Sequence, residues 1–579
     1  MGLGAGEAAM SMLEAVLAAT REHADRPALT GGGRALTFAE LGQRIDRVAT
    51  GLADAGLAPG DRVAFSVRPS VDAVVLALAI CRAGGQIAFV DLGAGPELLA
   101  ARLALAQPQW TAAEALLHLV SAPGLRRIAR ARGIDLPAYR ELLPGAGHIV
   151  TGPPLPGAPR GALRLRRLER TPPRPLPTAD PAADALLIFT SGTTGTPKTV
   201  LHTLASLGAG LADIRAGLGL EPGLRVLTDQ LMIGIPALIA GSHWTLPPIG
   251  LDPAASPERF LPLLEHADAM FASPAGLDAL LRLLDERDGS NAAGAASSAA
   301  PGTVDHASAT PLRLIALGGA PVLPPLIERA LTRFPEARIR CVYGMSEILP
   351  VAIADGAEKL RASGEGDVVG TLASSVTARI DHGELVLAGP GLARAYVHEL
   401  PAELTELRTG DLARIDGDRL TLLGRKKDML LRGTQNIYVG LYEPVIASLP
   451  GVADALMVGV PDAIGDDRVV VAVVPTESQR EAVGAPDPNH PLARRVAAAL
   501  PGLIDRGALP DLVVAVDALP RRGRMRKPDR AALVALVTPL VAQPCTGARA
   551  QTPGRGELAS RSTTAGGDDA AGEPPGGPH

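Results

Sequence analysis

Cysteine is scarce in this 579-residue chain. The three residues, Cys81, Cys341 and Cys545, are odd in number and far apart, which excludes a disulfide framework and gives no support to a zinc site. A reducing compartment, and so a cytoplasmic protein, is the expectation. Charge of one sign is missing too: 56 basic against 61 acidic residues leave a net charge of −5, spread along the chain rather than blocked. That argues against a nucleic-acid-binding protein as a whole and leaves small molecules as the expected partners. Long hydrophobic runs are absent. Stretches such as LMIGIPALIAG at 231–241 stop well short of the roughly 20 residues that cross a bilayer. The N-terminal MGLGAGEAAMSMLEAVLAAT has no basic leading segment and carries Glu7 and Glu14, so neither a signal peptide nor a membrane span is expected. Aromatic residues make up only 2%; with abundant Ala, Gly and Arg this reads as a coding bias and carries no function.

What the chain does have is length and rhythm. Its 579 residues exceed the size at which a single core stops growing, so two or more domains are expected. Apolar residues at helical spacing in FAELGQRIDRVATGLADAGL stop at a Gly/Pro turn, and RVAFSV then reads as a buried strand. The alternation recurs in VDAVVLALAICRAG and QIAFVDLG, in PLRLIALGG, and in PPLIERALTRFP and ARIRCVYG. Helix and strand in alternation imply an α/β fold with layers around a largely parallel sheet. Three segments break the rhythm: a Pro/Arg-rich connector at 151–180, an Ala/Ser/Gly-rich loop insertion at 288–310, and a disordered tail at 541–579.

SGTTGTPKTV at 191–200 matches the Walker pattern at Gly192, Lys198 and Thr199, but Pro197 stands where the second glycine belongs. Proline has no N–H to point at a phosphate and fixes φ near −65°. The stretch still offers Gly192 and Gly195 for close backbone approach, hydroxyls on Thr190, Ser191, Thr193 and Thr194, and the Lys198 cation. It reads as phosphate-binding without being a Walker loop, and equally, taken alone, as a Ser/Thr/Gly surface turn. Downstream, LIALGGAPVLPP ends an apolar strand in Gly318-Gly319-Ala320-Pro321, where a flat group can stack on bare backbone. CVYGMSEILPV places Tyr343, Gly344, Ser346 and Glu347 at a strand end, where ligands of α/β sheets collect. LRTGDLARID sets Asp411 after a Thr-Gly turn, suited to two ribose hydroxyls. GRKKDMLLRGTQNIYVGLYEPV follows, and LPRRGRMRKPDRAAL puts Lys527 in a cationic loop. Bland readings stand beside these. Lys527 with its neighbouring arginines also reads as a solvated basic face or a nucleic-acid patch. His202 and His243 read as structural histidines, and the arginines 160, 164, 166, 167, 170 and 174 as the lining of a solvated connector.

In this order and spacing, over roughly residues 10–535, the motifs resemble the ANL superfamily of adenylate-forming enzymes, which includes acyl-CoA synthetases, adenylation domains and luciferase. That family's triphosphate loop reads T-S-G-[ST]-[ST]-G-x-P-K-G, with the proline a Walker loop forbids, and Thr190 to Lys198 match it. The resemblance implies a large N-terminal domain of layered α/β subdomains, residues 1–426, and a smaller mobile α+β domain at 427–540. It implies ATP, Mg²⁺ and, as co-substrate, CoA or a carrier-protein thiol, with a carboxylic acid, fatty or otherwise apolar, as the group activated. Thr190 to Lys198 would hold the β- and γ-phosphates, Gly318 to Pro321 would wall the adenine and Tyr343 would stack on it. Ser346 would touch the α-phosphate and acyl carbonyl, Glu347 would hold the metal, Asp411 supported by Arg425 would bind ribose, Lys427 would be the hinge, and Lys527 the adenylating lysine.

The chain departs from the pattern in places. Thr199 replaces the glycine after the loop lysine, Val439 replaces a proline, and of a Glu-Ile-Glu element only Glu443 survives, in GLYE. The last motif carries an Arg-rich insertion, RRGRMRK; Lys527 is chosen because KPDRAAL parallels the family's KIDRRAL, and Arg524 is the competing assignment. YGMSEILPVA, FVDLGAG and the Lys527 loop resemble fatty-acyl-AMP ligases and olefin β-lactone synthetases more than amino-acid-activating domains. The expectation is therefore an AMP-forming acid–thiol ligase of the acyl-CoA synthetase kind. Its rivals are a β-lactone synthetase acting on a β-hydroxy acid and a non-catalytic nucleotide-binding pseudoenzyme.

Overall fold

The computed structural model describes residues 10–90, 96–131, 138–139, 142–190, 198–295, 312–362, 366–432, 435–461, 467–477, 484–504, 508–522 and 527–541. The triphosphate-loop residues Ser191, Gly192, Thr193, Thr194 and Gly195, the competing Arg524, and the tail beyond 541 lie outside them.

Helices begin where the sequence caps them. Thr37 accepts from the Glu40 N–H while Glu40 Oε2 accepts from the Thr37 N–H at 2.9 Å, a reciprocal capping box that starts the helix Phe38–Asp54. Ser11 with Glu14 does the same for Met12–Glu22. Residues of these two helices and of Val71–Arg82 share one apolar core with strands of two sheets, among them Phe38, Ile45, Leu76, Val63, Ile149 and Trp244. The helices are thus a layer sandwiched between sheets, which buries apolar surface on both sides. LMIGIPALIAG becomes the buried helix Leu231–Ile239, and no helix among the described residues is long and apolar enough to cross a membrane.

One sheet has thirteen strands, running from Thr377–Asp381 at one edge through Leu407–Asp416, Arg419–Arg425, Ile348–Asp355, Arg338–Met345 and Leu314–Gly318 to Pro27–Gly31 and Arg34–Thr37 at the other. The second has eight, from Ala395–Tyr396, Lys198–Thr203 and Asp184–Thr190 to Gly147–Thr151 and Leu163–Arg164. The expectation of a largely parallel sheet holds for most of the smaller sheet and needs correction for the larger. There the strands from Arg338–Met345 onward pair antiparallel, with tight turns such as Ser346–Glu347 and Gly417–Asp418 joining neighbours directly. The insertion at 288–310 is corrected in part as well: the helix Pro274–Ala295 runs into it, since alanine sustains a helix where no proline or cap stops it. Residues 296–311 lie outside the described residues.

The smaller C-terminal domain is a three-stranded sheet, Val452–Pro461, Asp467–Pro475 and Leu512–Ala515. Its period-two apolar pattern splits cleanly. Met457, Val469, Val471 and Val473 pack with residues of the helices Val439–Ala447 and Pro491–Ala499, while Leu456, Val458, Val470 and Ala472 pack with Leu533 and Val537 of Arg530–Val541. The architecture is mixed α/β, a large N-terminal domain followed by a small one.

Candidate active site

The site is built on a hairpin in the middle of the larger sheet. Arg338–Met345 and Ile348–Asp355 are joined by a tight turn that carries Ser346 and Glu347. The helix Leu204–Leu218 backs this hairpin closely. A Cβ on Gly210 would lie 2.2 Å from the Leu349 carbonyl oxygen, so glycine alone permits the approach. His202, read from sequence as structural, bonds Ser206 Oγ at 3.1 Å through Nδ1 and the Ser346 carbonyl at 2.8 Å through Nε2. It is structural, and what it holds is the Ser346–Glu347 turn. Burial keeps its pKa below that of free histidine, against the pull of the Ser346 carbonyl and the Glu347 charge. His243, by contrast, is half-buried and bonds Thr30 Oγ1 at 2.8 Å.

Glu347 has a partner the sequence reading missed. Tyr396 Oη donates to Glu347 Oε1 at 2.9 Å, and the Lys198 ammonium sits 4.7 Å from the Tyr396 ring centroid, within cation–π range. Burial and the Glu347 carboxylate together raise the Tyr396 phenol well above the ordinary range, so it stays a donor. Its neighbour strand explains the placement: Ala395–Tyr396 pairs antiparallel with Lys198–Thr203, Tyr396 opposite Val200. The available signal was rarity. The chain has five tyrosines, and Tyr343 and Tyr396 are both here.

Across the sheet, Asp411 and Arg425 face each other as direct partners of an antiparallel pair. The Thr-Gly turn expected before Asp411 is not formed: Thr409 and Gly410 lie within the strand Leu407–Asp416, where Gly410 adopts φ +71°. The Asp411 side chain is almost fully buried, and both oxygens are engaged: Arg425 Nε at 2.7 Å from Oδ1 and Tyr343 Oη at 2.6 Å from Oδ2. Burial and this carboxylate push the Tyr343 phenol far above its usual pKa. Gly318 ends the neighbouring strand Leu314–Gly318, and Gly319 and Ala320 follow it. Gly318 pairs with Val342, next to Tyr343.

Lys527 comes from the other domain. It lies in a two-residue strand, Lys527–Pro528, paired with Arg521–Arg522. Partial burial and the Arg425 and Arg522 cations hold its ammonium below the usual lysine range, with Asp411 opposing them. The C-terminal lysine therefore sits within the electrostatic reach of the Asp411–Arg425 pair. The loop behind it is anchored: Arg530 clamps Glu443 through 2.6 and 2.9 Å contacts, donates to the Met457 carbonyl at 2.7 Å, and lies 3.4 Å from Asp428. Thr190 ends its strand and Lys427 lies in the short turn Lys426–Asp428.

The structure thus joins Lys198 to Glu347 through Tyr396 and Tyr343 to Asp411 and Arg425, with the strand Arg338–Met345 and its turn linking the two groups and Lys527 feeling the second. Two carboxylates, two lysines, an arginine and bare backbone are groups that suit a nucleotide and an anionic co-substrate.

Comparison with known proteins points the same way. The model of the AMP-binding enzyme family matches residues 16–397, and that of the AMP-binding enzyme C-terminal domain matches 442–525. A feruloyl-CoA synthase of Amycolatopsis sp is 28% identical over 491 residues, 78% of this chain and 86% of that protein. An olefin beta-lactone synthetase of Xanthomonas campestris is 27% identical over 473 residues, 73% and 78% respectively. The solved structure of an amide bond synthetase from Marinactinospora thermotolerans, 23% identical, superposes with a TM-score of 0.68 over 90% of this chain and 99% of its own. This chain belongs to the AMP-binding enzymes, within the ANL superfamily of adenylate-forming ligases.

Proposed function

We propose that this adenylate-forming ligase activates an apolar carboxylic acid and passes the acyl group to the thiol of CoA. The observation that carries the first half is the buried Asp411 carboxylate held between Arg425 Nε and Tyr343 Oη. A carboxylate oxygen of the acid attacks the α-phosphorus of ATP, the bond from that phosphorus to the bridging oxygen breaks, and pyrophosphate leaves with the electron pair. In the second half the thiol sulfur adds to the acyl carbonyl, its proton goes to solvent, and AMP leaves.

The residues divide this work. Asp411, held by Arg425, accepts from the ribose hydroxyls, and Tyr343 with Gly318–Ala320 bounds the base. Lys198 and the 190–195 loop hold the terminal phosphates. Lys527 places a compact, mobile ammonium where the acid and the bridging oxygen meet, removing much of the cost of bringing an anion to a polyanion. Ser346, fixed by His202, lies by the α-phosphate.

Glu347 fits a magnesium ion. One carboxylate oxygen is tied to Tyr396, the other is left for a ligand, and no cluster of three acidic, Cys or His residues is present among the described residues. A single carboxylate beside substrate phosphates is the usual environment of that ion, which when bound would neutralise phosphate charge. Lys427, between the two domains, is the hinge about which the small domain turns between the half-reactions.

CoA as acceptor is supported by relatives such as the feruloyl-CoA synthase. The olefin beta-lactone synthetase similarity favours a second reading, in which a β-hydroxyl of the acid itself captures the carbonyl. The test incubates the enzyme with ATP, Mg²⁺ and matched acids with and without a β-hydroxyl, each with and without CoA, and identifies products by mass. Thioester from both acids only with CoA is expected. Lactone from the hydroxy acid alone, without CoA, overturns the acceptor assignment, and no pyrophosphate release with any acid overturns adenylation.

A further inference from the structure

A second charged concavity lies far from the adenylation site. Arg34 is on the outermost strand of the thirteen-stranded sheet, and Leu163–Arg164 is the outermost strand of the eight-stranded one. In both sheets this is the edge opposite to the strands that carry Asp411, Tyr396 and Lys198. There a cleft of about 360 Å³ opens, lined by Arg34, Arg44, Arg47, Arg166, Arg170 and Glu169. The arginines 166 and 170, expected to line a solvated connector, are exposed and line this cleft together with Arg44 and Arg47 of the helix Phe38–Asp54.

Five guanidiniums share this space with one carboxylate. Arg34 Nη2 and Arg44 Nη1 each stand 3.6 Å from the same oxygen, Glu169 Oε1. That distance allows attraction but is too long for a hydrogen bond. Arg44 Nη1 and Glu169 Oε1 are both enclosed, yet neither makes a hydrogen bond, a condition native structures avoid unless a further group completes it. Arg34 also pairs with Asp72. Arg47, Arg166 and Arg170 are exposed and have no carboxylate within ion-pair distance among the described residues. After Glu169 and Asp72 are counted, three positive charges remain uncompensated around a cavity of small-ligand size.

Like charges held together without counter-charge are costly, and a guanidinium fork matches two oxygens of a phosphate. A single phosphate would meet only part of this set. We propose that the cleft binds a small polyphosphorylated ligand carrying two or three phosphates, at a site separate from the adenylation centre.

The probe is inorganic tripolyphosphate, titrated calorimetrically into the full chain at fixed salt, with orthophosphate as comparator. The adenylation site also takes polyphosphate, so two variants separate the sources: Arg47→Gln/Arg170→Gln in the cleft and Lys198→Ala at the other site. Lys198→Ala should keep a tripolyphosphate site, and the arginine double variant should weaken that site at least about tenfold. Orthophosphate should bind at least about tenfold more weakly than tripolyphosphate. Pyrophosphate exchange by the arginine variant, without added tripolyphosphate, should stay at the wild-type rate, which also shows that it folds. Tripolyphosphate binding that vanishes in Lys198→Ala, or that is unchanged in the arginine double variant and in Arg166→Gln, overturns the proposal.

Discussion

The Tyr343 phenol donates a 2.6 Å hydrogen bond to Asp411 Oδ2, joining residues 68 positions apart in the chain. With Arg425 on the other oxygen, the aromatic ring and the carboxylate are fixed relative to each other, so the base-binding and ribose-binding surfaces form one unit. Tyr343→Phe keeps the ring and leaves the buried oxygen without its donor. A hydrogen bond to a charged group is worth about 1.5–3 kcal/mol, so KM for ATP in pyrophosphate exchange should rise by roughly ten- to a hundredfold, with kcat falling less. An unchanged KM would mean that the pair does not touch nucleotide.

Lys527→Ala should lower adenylate formation by about two orders of magnitude or more, since a contact made to developing charge is worth a few kcal/mol at the transition state. Thioester formation from supplied acyl-adenylate should be largely kept. Arg524→Ala should be much milder. The reverse ranking in pyrophosphate exchange would transfer the role to Arg524.

The charges around Lys527 set a pH dependence. Burial, Arg425 and Arg522 lower its pKa, so the rate of adenylation should fall on the alkaline side at a pH below that of free lysine. Arg522→Gln removes one depressing cation, which raises the pKa and shifts the alkaline limb upward. A limb that stays in place or moves down in the pH–rate profile excludes Lys527 as the titrating group.

The Glu443–Arg530 clamp is a structural claim. Glu443→Ala leaves Arg530 largely buried without its carboxylate, and breaking such a pair costs about 3–5 kcal/mol. The melting temperature should fall by several degrees. Replacing both partners by methionine should restore much of it, since no uncompensated charge remains. A single variant that melts like wild type would show the clamp to be dispensable.

Lys427→Pro tests the hinge. Proline restricts φ and the residue before it, so adenylation should persist while transfer from supplied acyl-adenylate to CoA slows by about tenfold or more. Equal loss in both half-reactions, each followed separately by product mass, would place the pivot elsewhere.

Much of this protein was legible in the residues because the determinants are local. The capped amphipathic helix at Phe38–Asp54 and the strands around 62–66, 314–318 and 338–345 follow from periodicity and turn chemistry within a few residues. The motif carrying Tyr343, Ser346 and Glu347, and those carrying Asp411 and Lys527, are likewise short words whose chemistry shows without a fold. What only the tertiary structure decided are the relations between distant segments. The antiparallel half of the large sheet arises from pairing choices that local patterns leave open. Tyr396 stands in no motif and reaches Glu347 because its strand docks on Lys198–Thr203. His202 looked like any buried histidine until the carbonyl it holds proved to be that of Ser346. The arginine cleft exists because the helix Phe38–Asp54 packs between Arg34 and the segment around the helix Leu165–Leu168, and charge gathered from segments so far apart leaves no periodic mark in the chain.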